Sequence, residues 1–367
     1  MRSHFDKRQL PLLDDTVARL EDAALIGVQG DIRYYGIRVK NILNSSASTG
    51  MGFSSINVFI GCAFSCAYCY ARYAHRWALD RKATENPDLQ DIRDARDTLP
   101  PWLAFERRIF VKQNAADALR KVLRHGSDKH FKLLDGESIV IGTATDPFQP
   151  AERRFRITRS VLEVLAEHAG LSICIITKSP LITRDIDVLK RIHRNSSLSV
   201  HLSLITTDRE LARRLEPRAP TPESRLRALA RLREADIETG INVMPVLPAI
   251  TDDPASLERL VMAVGERGAS YLNTCPLGLR SSARARYLPF IEREFPHLAR
   301  RYRATYAFDH KVSESYSERL RELVGGLCEK HGVRFGRWGR NEKRYEAEAI
   351  EERFAGAAAS DQLNLEL

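Results

Sequence analysis

Apolar residues recur along this chain in two rhythms. Short β-branched runs predict strands at Ser55–Gly61 (SINVFIG), Ser138–Thr143 (SIVIGT), Ile173–Thr177 (ICIIT), Ser199–Leu204 (SVHLSL), Gly240–Val246 (GINVMPV) and Ser270–Thr274 (SYLNT). Longer stretches of helical periodicity, 158–169, 180–194, 221–236 and 254–267, follow four of them. Strand and helix in strict alternation is the pattern of a parallel sheet with crossover helices. Six such units predict an α/β fold, a partial (β/α)6 barrel of the TIM type, with active groups at the carboxyl ends of its strands.

The remaining segments flank or interrupt that core, which is expected over 51–278. Residues 1–50 form an N-terminal extension, and 80–137 an insertion between the first and second strands. Within the insertion, FERRIFVKQNAADALRKVL is expected to hold a helix capped by Asn114 and running to about Arg124. Residues 279–345 read as helical and arginine-rich with interleaved aromatics, and 346–367 as a mobile tail.

Composition narrows the class. An apolar share of 43% is ordinary for a buried core. No apolar run is long enough to cross a bilayer, and the start, MRSHFDKRQLPLLDD, has no apolar leader, so the expected location is cytoplasmic. A formal charge of +9 suits a polyanionic partner without requiring one.

The sharpest chemical signal is GCAFSCAYCYAR, which carries Cys62, Cys66 and Cys69. A disulfide is disfavoured in a reducing compartment. A structural zinc site usually takes two separated pairs, whereas Cys174, Cys275 and Cys328 are isolated. An iron–sulfur cube normally takes four cysteines, so a cube held by three has one iron open. The loop begins at Gly61, where the first predicted strand ends.

This CxxxCxxC spacing, with Tyr68 before the last cysteine, resembles the signature of the radical S-adenosylmethionine (SAM) enzymes. The resemblance extends, in order, through His75, FE at 105–106, VKQN at 111–114, GTATDPFQPAE at 142–152, ITR at 157–159, TKSPLITRDIDVL at 177–189, LEPRAPTPESRL at 215–226 and MPVLPAITDD at 244–253. It is to the branch grouped with the spore photoproduct lyases and called "DNA repair photolyase-like". The resemblance implies a [4Fe–4S] cluster on Cys62, Cys66 and Cys69, SAM on the open iron, and a one-electron donor of flavodoxin or ferredoxin type. It implies reductive cleavage of SAM to a 5′-deoxyadenosyl radical that takes a hydrogen atom from substrate. By the same analogy Tyr68 packs beside the adenine, and Thr143, Thr145 and Asp146 serve the SAM amino group. Lys178 and Arg218 clamp its carboxylate, Glu216 orients Arg218, Ser203 meets the ribose, and Met244 with Val243 lines the adenine pocket. Spore photoproduct lyase draws hydrogen from a cysteine near the end of strand two. Thr143 holds the matching place here and has no thiol, while Cys275 in LNTCP could face the same cavity from strand six.

Two features point to nucleic acid. Arg280, Arg284, Arg286, Arg293, Arg300, Arg301 and Arg303 lie among Tyr and Phe, a combination suited to phosphate contact and base stacking. The terminal QLNLEL, Gln362 to Leu367, resembles the peptide by which replication and repair proteins dock on the sliding clamp. The leading expectation is a radical SAM enzyme acting on DNA or another nucleic acid. The alternatives are the same chemistry on a peptide or small molecule, and an iron–sulfur protein that binds nucleic acid or carries electrons without radical catalysis.

Overall fold

The six β-branched runs become neighbouring parallel strands, in the order of the sequence. The computed structural model describes residues 23–49, 51–75, 87–89, 99–124 and 132–336; the tail and its QLNLEL peptide lie outside the described residues. The strands are β1 (Ala24–Gln29), β2 (Ile32–Ile37), β3 (Leu43–Asn44), β4 (Ser54–Ile56), β5 (Phe59–Ile60), β6 (Arg108–Lys112), β7 (Ile139–Ile141), β8 (Ser172–Thr177), β9 (Ser197–Ser203), β10 (Glu238–Val246), β11 (Tyr271–Pro276) and β12 (Arg334–Phe335). One sheet runs β12-β11-β10-β9-β8-β7-β4-β3, parallel throughout except for β3. Its hydrogen bonds leave it open between β3 and β12, so the ladder defines an open α/β sheet, not a closed ring.

The first predicted strand is in fact two. Ser54–Ile56 joins the large sheet, and Phe59–Ile60 pairs with β6 in a smaller sheet of order β1-β2-β6-β5. A continuous apolar run cannot reveal this split, because both halves are buried. The smaller sheet joins the N-terminal segment to the insertion through parallel pairing of β2 with β6. Asn114 precedes a helix, Ala115–Val122, but its side chain makes no cap bond. It instead accepts from Val39 N (2.7 Å) and donates to Val39 O (2.8 Å), a two-way bond to the chain leaving β2.

Helices lie close to where the periodicity predicts them. Ile157–Leu165, Ile186–Asn195, Pro222–Glu234 and Pro254–Gly265 each turn an apolar stripe inward. Thr221 and Asp253 cap the last two, each followed by a proline whose missing N–H costs nothing in the first turn. Leu229, Leu232, Leu260 and Val264 are fully buried on them, each contributing about 1.5–3 kcal/mol of transfer free energy. A buried ionic network ties the first two helices together. Glu152 accepts from Thr158 N (2.7 Å) and Arg184 (2.9 Å), Arg184 also bonds Asp185, and Arg159 spans Asp185 and Asp187.

After β11 the chain is helical over Ser281–Glu294, Ala299–Thr305 and Glu314–Lys330. Most of the aromatics there do not face solvent. Tyr287, Phe290, Phe295, Tyr302 and Tyr306 are buried in one apolar cluster with Phe64, Tyr68 and Leu215. Their spacing on the helices matched a base-stacking surface equally well, but the cysteine loop needed a wall. Among the described residues no helix is long and apolar enough to cross a membrane.

The sheet interior also encloses a polar network. His201 on β9 meets Asn242 (3.2 Å) and the Tyr271 hydroxyl (2.9 Å), and Asn273 donates to Asn242 (3.1 Å). Burial pushes the His201 imidazole from 6.5 down to about 4, and does the same to His75. The unfolded chain protonates these rings below about 6.5 while the folded chain does not until about 4, so their contribution is complete above 6.5 and is lost as pH falls towards 4. Urea denaturation should show lower stability at pH 5 than at pH 7, and His201→Gln should shrink that difference.

Candidate active site

Parallel pairing puts the carboxyl ends of β4, β7, β8, β9, β10 and β11 on one edge, and with them Asn57, Thr143, Lys178, Ser203, Met244 and Cys275. Two glycines allow the tight exits. Gly61 has φ +93° and a Cβ there would meet Phe105 O at 2.7 Å; Gly142 has φ +97° and would meet Ile176 O at 2.4 Å.

The cysteine loop is stapled to distant segments. Cys62 N donates to Phe105 O (2.9 Å) and Ala67 N to Leu215 O (2.9 Å). The buried Gln149 amide accepts from Ala63 N (2.9 Å) and donates to Gly61 O (3.0 Å), which also accepts from Thr145 Oγ1 (2.6 Å). Arg72, fully buried, donates to Cys66 O (2.7 Å), Trp102 O (2.5 Å) and Glu106 (2.9 Å). Arg286 approaches the second Glu106 oxygen at 3.8 Å, so this arginine of the C-terminal helices points inward.

All three thiols are reduced; Cys62 and Cys66 are buried and Cys69 is half-buried. Cys62 and Cys66 both feel the charge of Cys69. Burial pushes the Cys62 thiol up to about 12, with Asp146 adding to it, and raises Cys66 and Cys69 as well. Among the described residues no three Cys, His, Asp or Glu side chains converge as one metal ion requires. A cube asks each thiolate to take a separate iron corner and not to share one ion. Loading it must strip a proton from each thiol.

Beside Cys66 stands a second buried carboxylate. Glu216 accepts from the Tyr68 hydroxyl and pairs with the buried Arg225, which also donates to Ser203 O (3.0 Å) and Pro220 O. Burial works to raise the Glu216 carboxyl, but Arg225, Lys178 and its hydrogen bonds hold it below the usual range. Glu216 therefore does not orient Arg218. Arg218 is exposed and bonds Asp31 (2.7 Å) on the small sheet. The cation left facing Cys66 is Lys178, with Nζ 3.9 Å from Glu216 and 5.7 Å from the Tyr68 ring centroid. Among the described residues that ammonium makes no hydrogen bond. Burial alone would lower it, but Cys66 and Glu216 keep it above the ordinary lysine value.

The other sequence candidates are partly committed. Asp146 accepts from Thr177 (2.7 Å), Phe148 N (2.9 Å) and Lys178 N (2.7 Å), so it fixes the turn and the root of Lys178. Thr143 Oγ1 accepts from Asn57 (2.9 Å), and Thr143 O accepts from the Tyr70 hydroxyl. Ser203 is buried and Met244 half-buried at the ends of β9 and β10. Tyr70, Tyr73, Cys275 and Arg280 reach solvent, yet surrounding protein pushes the Cys275 thiol up to about 11 and lowers Arg280. We take these exposed residues as the mouth of the site: Tyr70 feels the charge of Cys69 and Cys275, and Tyr73 that of Cys69 and Arg280. Asn57, Arg72, Tyr70 and Tyr73 carried no assignment from sequence. Glu106, Gln149 and Arg225 lay inside recognised strings without a role, since a buried ion pair leaves no periodic trace.

The chain matches the Radical SAM superfamily model over residues 56–261. It belongs to the radical SAM superfamily, whose enzymes use a [4Fe–4S] cluster, SAM and an electron donor. It is 30% identical over 329 residues, 88% of this chain and 89% of the relative, to the uncharacterized protein Rv2578c of Mycobacterium tuberculosis. It is 29% identical to the uncharacterized protein MJ0683 of Methanocaldococcus jannaschii, over 59% of this chain and 68% of that one. In fold it is similar to a spore photoproduct lyase mutant solved with bound AdoMet and dinucleoside spore photoproduct, with TM-score 0.56, 13% identity, and 86% and 87% of the two chains covered.

Breaking the Arg72–Glu106 pair strands a buried carboxylate. Arg72→Ala should cost about 3–5 kcal/mol in urea denaturation. It should also lower the iron bound per chain after anaerobic reconstitution, measured by colorimetric assay.

Proposed function

We propose that Cys62, Cys66 and Cys69 hold three corners of the cluster, that SAM binds beside them, and that the substrate is DNA or another nucleic acid. The observation that carries the reading is the Lys178 ammonium, which faces Glu216 at 3.9 Å without a hydrogen bond and whose charge is felt by Cys66 and Cys69. A cation without a hydrogen-bonding partner, rooted by Asp146 and flanked by Tyr68, suits the SAM carboxylate. When bound, the reduced cluster and SAM supply a 5′-deoxyadenosyl radical, with methionine as the other product.

The chain's own residues bind, orient and exclude water. Tyr68, Val243 and Met244 offer apolar surface to the adenine, and the Ser203 hydroxyl is free for the ribose. Thr143 and Asp146 act through backbone and turn geometry, because their side chains are engaged within the protein. The Thr145 hydroxyl is likewise given to Gly61. Arg218, turned to Asp31, leaves the carboxylate to Lys178. Cys275 is the thiol open to the mouth, and its raised pKa keeps its hydrogen on sulfur at neutral pH. We assign it as hydrogen-atom donor in place of the thiol that Thr143 lacks. The sequential strand order supports reading the open sheet as a partial (β/α)6 barrel.

Nucleic acid is favoured by the +9 charge and by Arg300 and Arg301, which are exposed and make no ion pair among the described residues. The spore photoproduct lyase likeness in fold supports the same substrate class. Other arginines of this region are occupied: Arg303 by Glu292 (2.6 Å) and Arg293 by Glu294 (2.8 Å). Docking of Gln362–Leu367 on the sliding clamp stands on the sequence. Removing the chain after Ser360 should abolish recovery of the protein on immobilised clamp.

Anaerobically reconstituted protein with dithionite and SAM should release 5′-deoxyadenosine, seen by chromatography, and Ala at Cys62, Cys66 or Cys69 should abolish it. Lys178→Ala should weaken SAM binding about 10- to 100-fold in equilibrium dialysis. Unchanged affinity would remove Lys178 from the site.

A further inference from the structure

Among the described residues one aromatic of the C-terminal region is left out of the core. Phe308 is 95% exposed, while Tyr302 and Tyr306 just before it are buried. It does not hang from a loose end. The Tyr306 hydroxyl donates to Leu277 O (2.9 Å), and Leu279 N donates to His310 O (2.7 Å). Both anchors grip the chain just after β11, the strand that ends in Cys275 and Pro276. With consecutive Cα atoms about 3.8 Å apart, Phe308 must project within two residues of each anchor.

The surroundings are polar and cationic. Arg280 Nη2 lies 3.4 Å from His310 Nε2, and the Arg280 charge is felt by Tyr73, which also reaches solvent. The Asp309 carboxylate is occupied by Lys311 N (3.1 Å) and His310 Nδ1 (3.1 Å). Arg300 and Arg301 lie on the preceding helix. A protein interface would want a contiguous apolar patch, and Phe308 stands between Ala307 and a charged residue. A single open ring, with Arg280 beside His310 and the exposed Arg300 and Arg301 on the preceding helix, is instead suited to stacking on a base while the phosphates are neutralised.

We propose that Phe308 is a base-stacking finger that holds an unstacked nucleotide of a single-stranded or opened nucleic acid beside the mouth lined by Tyr70, Tyr73 and Cys275. The proposal rests on the nucleic-acid reading above and adds where and how the strand is held. The ring takes a base face, which a closed duplex hides, and Arg280, Arg300 and Arg301 take flanking phosphates.

The test is fluorescence anisotropy of the reconstituted full chain with a labelled single-stranded oligonucleotide across a salt series. Phe308→Ala and Phe308→Leu should weaken binding about 5- to 100-fold with the salt slope unchanged, and Phe308→Tyr should stay within about twofold. Arg300→Gln with Arg301→Gln should lower the slope by about 1 to 2. Steep salt-dependent binding that ignores Phe308→Ala and Phe308→Leu overturns the finger and leaves the nucleic-acid reading standing. No binding of single strand or duplex by the unaltered chain at low salt overturns both. Because Phe308 is outside the core, loss on substitution cannot be put down to unfolding.

Discussion

Two buried carboxylates, each locked to a buried arginine, hold the cysteine loop against the sheet. Glu106 with Arg72 grips it from the insertion side, and Glu216 with Arg225 grips it through the Tyr68 hydroxyl. Taking such charges out of water costs several kcal/mol per ion unless every lone pair and proton is met. Arg225 meets that condition with two backbone carbonyls as well as its carboxylate, whereas Arg72 serves two carbonyls and its carboxylate but leaves its buried Nε unpaired. What they secure is the loop that carries the three sulfurs. The thiols, the Lys178 ammonium and the mouth above them are all arranged relative to that loop.

Much of the architecture was legible because periodicity reports burial. The six strands and four crossover helices follow from it, as does the edge where the site gathers. What periodicity cannot report is a partner. Glu216 and Arg218 are neighbours in the chain, yet the turn at Pro217–Pro220 and the helix from Pro222 bring Arg225 back onto Glu216 and send Arg218 outward to Asp31. Asn114 has the composition of a helix cap, but the chain leaving β2 offers both an N–H and a carbonyl and takes it. The aromatics after residue 280 read as a recognition surface because a helix that packs on a loop and one that packs on a base carry the same residues. Among the described residues of this region Phe308 is left facing solvent.

On the proposed assignment of Cys275 as hydrogen-atom donor, chemistry has moved between strands while the fold stays. Just past β7, Thr143 accepts from Asn57 at its hydroxyl oxygen and from Tyr70 at its carbonyl, so this corner is held by hydrogen bonds. The thiol is at the end of β11, across the same opening. Since parallel strands deliver all their carboxyl ends to one rim, a reactive group can enter from another strand without rebuilding the sheet.

The staples on the cysteine loop come from Phe105, Gln149, Leu215 and, through Glu216, Arg225. The consequence is one of timing. A ribosome releases the three thiols long before it has made the segments that enclose them, and folding proceeds broadly from the N-terminus as synthesis advances. Throughout that interval the sulfurs stand open to oxidants and stray metals. Assembly of the cofactor therefore belongs after translation, on a nearly complete chain whose last helices close the wall behind it.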